Sequence, residues 1–198
     1  ETHDYSLPVS VVIPVYNQRE KLGKTIAALT HSTYPLDLIE VIIADDGSSD
    51  SPETLIPLFE KHFPVRHVFQ EDLGYRLSEV RNLGVREANH DQIIILDCDM
   101  LPEPTLVESY MQYMHVGTKA VLIGGRRYVN TDELSIESVL GDIEPVLSLP
   151  TQRVDTGRGP EADEAPSEDW RYKFYADSNN AKDAKYAFRW LCGGNICF

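Results

Sequence analysis

The sequence predicts an α/β domain: a mostly parallel sheet flanked by helices. Three observations lead there. Short aliphatic, β-branched runs alternate with segments of helical periodicity over the first two thirds of the chain, which is the pattern of βαβ units. The most apolar of these runs, Ile93 to Leu96, has no polar alternation and reads as a strand covered on both faces. The runs pass directly into loops rich in Asp, Asn, Gly and Ser, and open α/β sheets place their ligands at that carboxyl edge.

Taken in order, Val9–Ile13 is the first strand, closed by Pro14, and Val15-Tyr-Asn-Gln is a turn. A helix over 19–31 follows, with Leu22, Ile26 and Leu29 on one face. Tyr34-Pro-Leu-Asp is a loop, and residues 39–44 form a second strand that runs into Asp45-Asp-Gly-Ser-Ser-Asp50. Pro52 suits the first turn of a helix whose buried stripe is Leu55, Leu58 and Phe59. Residues 65–70 are a third strand. A helix over 77–89 packs Val80, Leu83 and Val85, with Gly84 lowering its intrinsic propensity. Ile93–Leu96 is followed by Asp97 and Asp99; on an extended chain both acids project to one side and Cys98 to the other. Pro102 ends that strand before a helix over 104–114, and 119–123 is a further strand leading to Gly124-Gly-Arg-Arg-Tyr. Regularity is lost over 130–169. Its stretch 155–169, dominated by Glu, Asp, Pro and Gly, reads either as a lid beside a site or as surface decoration. Residues 170–175 and 189–198 regain an aromatic, apolar character and are expected to return to the core. There is no internal repeat, and residues 1–198 are read as a single domain.

Composition narrows the function. With 32 acids against 18 bases the net charge is −14, which argues against a nucleic-acid footprint. Any phosphate ligand must then be met by a metal or by a few local bases. No apolar run reaches the roughly eighteen residues of a membrane span, and the N-terminus lacks signal-peptide character. Peripheral membrane association stays open. Three cysteines without metal-ligand spacing are read as reduced thiols of a cytoplasmic protein, Cys98 being buried. The chain begins without Met and stops inside an element, so a portion of a longer protein is expected.

Four loops supply candidate site residues. The first offers Pro14, Val15, Tyr16 and Asn17; Tyr16 either stacks on a flat base or covers the start of a helix. The second offers Asp45 and Asp46 as acceptors for a nucleobase N–H or ribose hydroxyls, while Ser49 or Asp50 caps the next helix. The third holds Arg76 and Arg81, phosphate partners in so acidic a chain, with a surface salt bridge as the plainer role for Arg76. The fourth is Asp97-Cys98-Asp99. A lone Asp there would merely cap a helix, but two side by side need a cation, and hard cations such as Mg²⁺ or Mn²⁺ take oxygen ligands.

Val-Ser-Val-Val-Ile-Pro-Val-Tyr-Asn, Ala-Asp-Asp-Gly-Ser-Ser-Asp, Val-Arg-Asn-Leu-Gly and Ile-Leu-Asp-Cys-Asp-Met, in this order over about the first 130 residues, resemble family 2 glycosyltransferases of the Rossmann-like GT-A fold. Arg81-Asn-Leu-Gly, Leu96-Asp-Cys-Asp-Met and Ser109-Tyr-Met are most similar to bacterial chondroitin- and heparosan-type polymerases, hence to polysaccharide biosynthesis. Cys192-Gly-Gly-Asn-Ile resembles the strand that precedes the family's acceptor region. The resemblance implies a UDP-sugar donor, a glycan or other hydroxyl acceptor, and transfer with inversion. It also implies residue roles: Pro14 to Tyr16, Asp46 and more weakly Asp45 on uracil and ribose, Arg81 near the diphosphate, and Asp97 and Asp99 at Mn²⁺ or Mg²⁺. The family's base lies in an acidic motif after the Gly-Gly-Asn strand, expected beyond Phe198, so the catalytic residue is unassigned.

Two rivals remain at this level. A haloacid-dehalogenase-like phosphatase also ends an apolar strand in D-x-D, but after its first core strand and with Thr or Val where Met100 stands. A nucleotide-sugar-binding domain without a catalytic half is the non-enzymatic alternative.

Overall fold

The computed structural model describes residues 6–115, 120–152, Asp177 and 194–198. The acidic stretch 155–169, residues 170–175, Cys192 and the expected strand start at Lys119 lie outside them. Among the described residues the strands are β1 (Val9–Val15), β2 (Ile39–Asp45), β3 (Val65–Phe69), β4 (Gln92–Leu96), β5 (Leu122–Ile123) and β6 (Asn195–Cys197). They form one sheet in the order β3-β2-β1-β4-β6-β5. β1 pairs in parallel with β2 and β4, and β2 with β3. β6 enters antiparallel between β4 and β5, so the expected mostly parallel sheet carries one reversed strand. The chain steps from β1 to β2 to β3 in one direction, then returns to place β4 on the other side of β1. That reversal opens a crevice at the carboxyl ends of β1 and β4, where doubly wound sheets bind ligands.

The strands lack polar alternation because both faces are covered. Val9, Val11, Ile13, Ile43, Ile94 and Leu96 pack on one side in a cluster that includes residues of α1 (Arg19–Leu29), α4 (Leu106–Met114) and α5 (Ile136–Gly141). Val12, Ile42, Ala44, Ile93 and Ile95 face the other way and meet Val80 of α3 (Leu77–Arg86). Residues 22–29 of α1 are all buried, Lys24 and Thr25 included. Thr25 Oγ1 donates to the Cys98 carbonyl at 2.7 Å, and Lys24 Nζ to the Thr131 carbonyl at 3.1 Å. Those partners are what make burial of the two polar residues tolerable.

Several boundaries differ from expectation for local reasons. Pro14 does not end β1, which runs to Val15; the ladder with β4 has stopped at Val12, so the missing N–H of Pro14 breaks no bond on that side. The helix expected from Pro52 is a 3₁₀ turn (Pro52–Leu55) followed by a short α2 (Ile56–Phe59). Pro57 has no N–H for the carbonyl of Glu53, so one continuous α-helix cannot form. α3 stops at Arg86 rather than Asn89, because Asn89 is claimed by buried Glu40 through its backbone and side-chain nitrogens, both at 2.7 Å. Ser10 Oγ completes that cluster by donating to Glu40.

Gly84 has a packing role that helix propensity conceals. A Cβ there would lie 2.3 Å from Val12 Cγ1 and 3.2 Å from Ala44 Cβ, so only glycine lets α3 rest directly on β1 and β2. Gly84→Ala is expected to destabilise the fold by about 1–3 kcal/mol through overpacking, although alanine is the better helix former. Urea denaturation checks the sign; a stabilised variant would mean the helix moves away without cost.

Candidate functional site

The loops that follow β1 and β2 are tied together by hydrogen bonds. Asn17 adopts a left-handed conformation (φ 51°), and its N–H donates to Ser48 Oγ at 3.0 Å. Its side-chain oxygen accepts from Ser49 N at 2.8 Å and Ser49 Oγ at 3.0 Å. Asp50 Oδ2 accepts Arg19 N at 2.8 Å. Ser49 and Asp50 therefore brace the first loop and the start of α1, not their own helix as expected.

Both acids of the second loop are buried, Asp45 at 1% exposure and Asp46 at 6%. Asp45 accepts Ser48 N at 2.8 Å and faces His67 Nε2 at 3.0 Å. Burial alone would raise its pKa; the hydrogen bonds from His67 and Ser48 outweigh that and hold it below the ordinary carboxylate value. Asp45, His67 and Glu53 are the group of candidate metal ligands found among the described residues, their ligand atoms lying within 4.8 Å of one another. Asp45 already has both oxygens engaged there, which makes it a structural acid at the base of the loop. Asp46 is held differently, accepting Gln70 Nε2 at 2.5 Å and Arg76 N at 3.3 Å. Its carboxylate is oriented yet keeps lone pairs for a ligand. Arg76 spends its guanidinium on Glu79 at 2.9 Å and on the Glu71 carbonyl, as in the plainer reading of it. Tyr16 stays 46% exposed with its hydroxyl on Asp72. Pro14 and Val15 are buried strand residues.

At the end of β4 the chain turns at once. Met100 N donates to the Asp97 carbonyl at 3.0 Å, so the two acids sit on a tight turn rather than along an extended strand. They still meet in one place, because both line the same cleft. Arg81 from α3 donates to Asp97 Oδ1 at 2.6 Å, and its Nε is buried without a hydrogen-bond partner among the described residues. Burial raises the Asp97 pKa; Arg81 opposes the shift and the charge of Asp99 adds to it. Asp99 is exposed and makes no hydrogen bond or ion pair among the described residues. Cys98 points into the core, where burial pushes its thiol up to about 12. Cys197 is likewise free, buried and raised to about 12.

The cleft measures about 1060 Å³ and is bounded by Asp97, Asp99, Lys21, Tyr110, Arg126 and Asn195, among others. Tyr16, Asp46 and Arg81 do not line it. The Asp97–Asp99 turn thus divides the carboxyl edge into a side made by the first three loops and a cleft made by α4, β5 and β6. Reading the sequence alone misses the groups that shape this wall. Gly194 N-terminal to β6 accepts Asp97 N at 2.8 Å, and buried Asn195 accepts Tyr110 O–H at 2.7 Å. Arg126 lowers the Asp97 pKa by its charge. The Gly-Gly-Arg-Arg after a short strand is the signal for Arg126, and Cys192-Gly-Gly-Asn-Ile that for Gly194 and Asn195, although neither stretch by itself reads as part of this wall.

The model of the family described as "Glycosyl transferase family 2" matches residues 10–180. Among curated proteins the chain is 37% identical over 196 residues to "Chondroitin synthase" of Escherichia coli, covering 96% of this chain and 28% of that protein. It is 31% identical over 192 residues to "Hyaluronan synthase" of Pasteurella multocida, covering 96% of this chain and 19% of that one. The chain therefore spans under a third of the length of these relatives. Among solved structures it aligns with S. aureus TarS 1-349 in complex with UDP-GlcNAc at TM-score 0.54 and 20% identity, covering 65% of this chain and 37% of that one. It aligns with the mannosyltransferase PcManGT from Pyrobaculum calidifontis, in complex with GDP-Man and Mn²⁺, at TM-score 0.53 and 19% identity, covering 69% and 39%. At such identities these structures speak for the fold. The phosphatase rival falls with the family match.

Proposed function

We propose a donor chemistry from one premise: this chain belongs to glycosyl transferase family 2 and has the GT-A fold. The reaction is transfer of a sugar from a UDP-sugar to a glycan hydroxyl, with inversion. The observation that carries it is the Arg81–Asp97 pair beside exposed Asp99, the guanidinium keeping further N–H groups beyond the one given to Asp97. Tyr16 offers a flat face to uracil, and Asp46 accepts its N3–H. Arg81 holds the diphosphate while keeping Asp97 oriented. Asp97 and Asp99 are the residues that would hold Mn²⁺ or Mg²⁺. Their oxygens suit a hard cation, which completes its shell from phosphate and water. Such an ion would neutralise the charge developing on the leaving diphosphate. The sugar then lies toward the cleft, where the acceptor enters. The base that deprotonates the acceptor is assigned to no residue of this chain.

A cytoplasmic location belongs to the same proposal, since that compartment keeps thiols such as Cys98 and Cys197 reduced. No helix among the described residues is long and apolar enough to cross a membrane.

Calorimetry with nucleoside diphosphates in Mn²⁺ tests the donor assignment. UDP is expected to bind at least about tenfold tighter than GDP or ADP, because a pocket that hydrogen-bonds one base leaves polar groups unpaired with another. GDP or ADP binding more tightly than UDP would overturn the roles given to Tyr16 and Asp46.

A further inference from the structure

We propose that Asp72 is a positioning residue for the donor base: it latches Tyr16 to the loop after β3 and so sets the wall against which the base lies. This rests on the donor reading above. Tyr16 O–H donates to Asp72 Oδ2 at 2.9 Å, across 56 positions of sequence. The other carboxylate oxygen accepts Gly74 N at 3.0 Å, which stops the carboxylate from rotating. The Asp72 backbone is seated as firmly. A Cβ at Gly47 (φ 86°) would lie 2.4 Å from Asp72 N and 2.7 Å from its Cα, so the two loops touch where only glycine leaves room.

The segment carrying Asp72 is also fastened at both ends to one group. Gln70 Nε2 and Arg76 N each donate to a different oxygen of Asp46. Asp46, Asp72 and Tyr16 therefore form a single frame drawn from three loops. An exposed tyrosine without such a tether samples several rotamers, and ordering it on binding costs affinity. The hydrogen bond to an ionised carboxylate restrains the ring beforehand, and bonds of this type are the stronger kind. Asp72 is kept ionised: the Gly74 N–H and then the Tyr16 hydroxyl hold its pKa below the usual value, while Asp72 raises that of Tyr16. Asp72 needs no contact with the donor for this role.

A double-mutant cycle on UDP affinity in Mn²⁺ tests the latch. Tyr16→Phe keeps the ring and loses the hydroxyl; Asp72→Ala loses the acceptor. Each is expected to weaken UDP by roughly five- to tenfold, the scale of one ordinary net hydrogen bond, since both partners are exposed. The double variant should be no weaker than the worse single one, since both remove the same bond. Asp72→Asn keeps one acceptor oxygen where Asp72 uses two and lacks the charge, so it should bind UDP more tightly than Asp72→Ala but more weakly than wild type. Mn²⁺–pyrophosphate, which has no base, should bind all variants alike, a result that general loosening of the site would not produce. Additive losses, or single variants that bind UDP like wild type, overturn the latch while leaving the donor assignment intact. A wild-type protein that binds no UDP overturns both.

Discussion

Asp99→Ala is expected to abolish most of the stabilisation that UDP confers in the presence of Mn²⁺, while leaving the ligand-free protein as stable as before. The two halves of this expectation come from different observations. Asp99 is exposed and bonded to nothing among the described residues, so its removal should change folding stability by no more than about 0.5 kcal/mol. Its proposed work begins only when a cation must be held beside a diphosphate in a chain of net charge −14. A ligand at ~100 times its Kd adds about 2.7 kcal/mol to stability, and that is the gain at stake. Thermal unfolding with UDP, with and without Mn²⁺, and again in EDTA, reads it directly. Asp97→Ala should behave differently, lowering the stability of the free protein as well, because it strands Arg81 in a part-buried position. If UDP stabilises wild type equally in EDTA, the metal role of Asp99 is wrong.

Gly194→Ala should damage the same site from the neighbouring strand, where Gly194 accepts Asp97 N. Gly194 has φ 133°, which an L side chain rarely adopts, and backbone strain of that kind costs about 1–3 kcal/mol. A Cβ there would also lie 2.3 Å from Asp97 Oδ2 and 3.0 Å from its Cγ. The carboxylate must swing away, and its 2.6 Å bond to Arg81 breaks with it. We therefore expect a lower denaturation midpoint and at least about tenfold weaker UDP binding in Mn²⁺, equivalent to the loss of ~1.4 kcal/mol. Gly141→Ala is the control, since nothing lies within 4 Å of its Cβ position and its φ is ordinary. Unchanged UDP affinity in Gly194→Ala would show that Asp97 need not sit where Arg81 holds it.

Much of the sheet was readable from residue types, because aliphatic runs and the helical spacing of Leu22, Ile26 and Leu29 report burial that local geometry imposes. The boundaries that moved did so under forces from elsewhere in the chain. Glu40 draws Asn89 out of α3, and the departure of β4 lets β1 continue through Pro14. Only Pro57, which splits the helix after Pro52, was a local signal left unused. The antiparallel entry of β6 lay beyond any pattern in its three residues, which contain neither a full period nor a turn.

The site divides along the same line. By itself the sequence determined which residue types stand near the carboxyl edge: Tyr16, Asp46, Asp97 and Asp99 follow strands and Arg81 lies within α3, types suited to the base, phosphate and cation of the proposed donor. Tertiary structure alone decided what each of them touches. Arg81 meets Asp97, Asp50 caps a helix that begins 31 residues before it, and Tyr16 meets Asp72 across 56 positions. Periodicity carries information over a few residues, whereas these contacts exist only because parallel strands bring distant loops to one edge. Gly84 and Gly194 make the point most sharply. A missing side chain has no signature in composition, and its meaning is the atom that occupies the vacated space: Val12 Cγ1 in one case, the Asp97 carboxylate in the other.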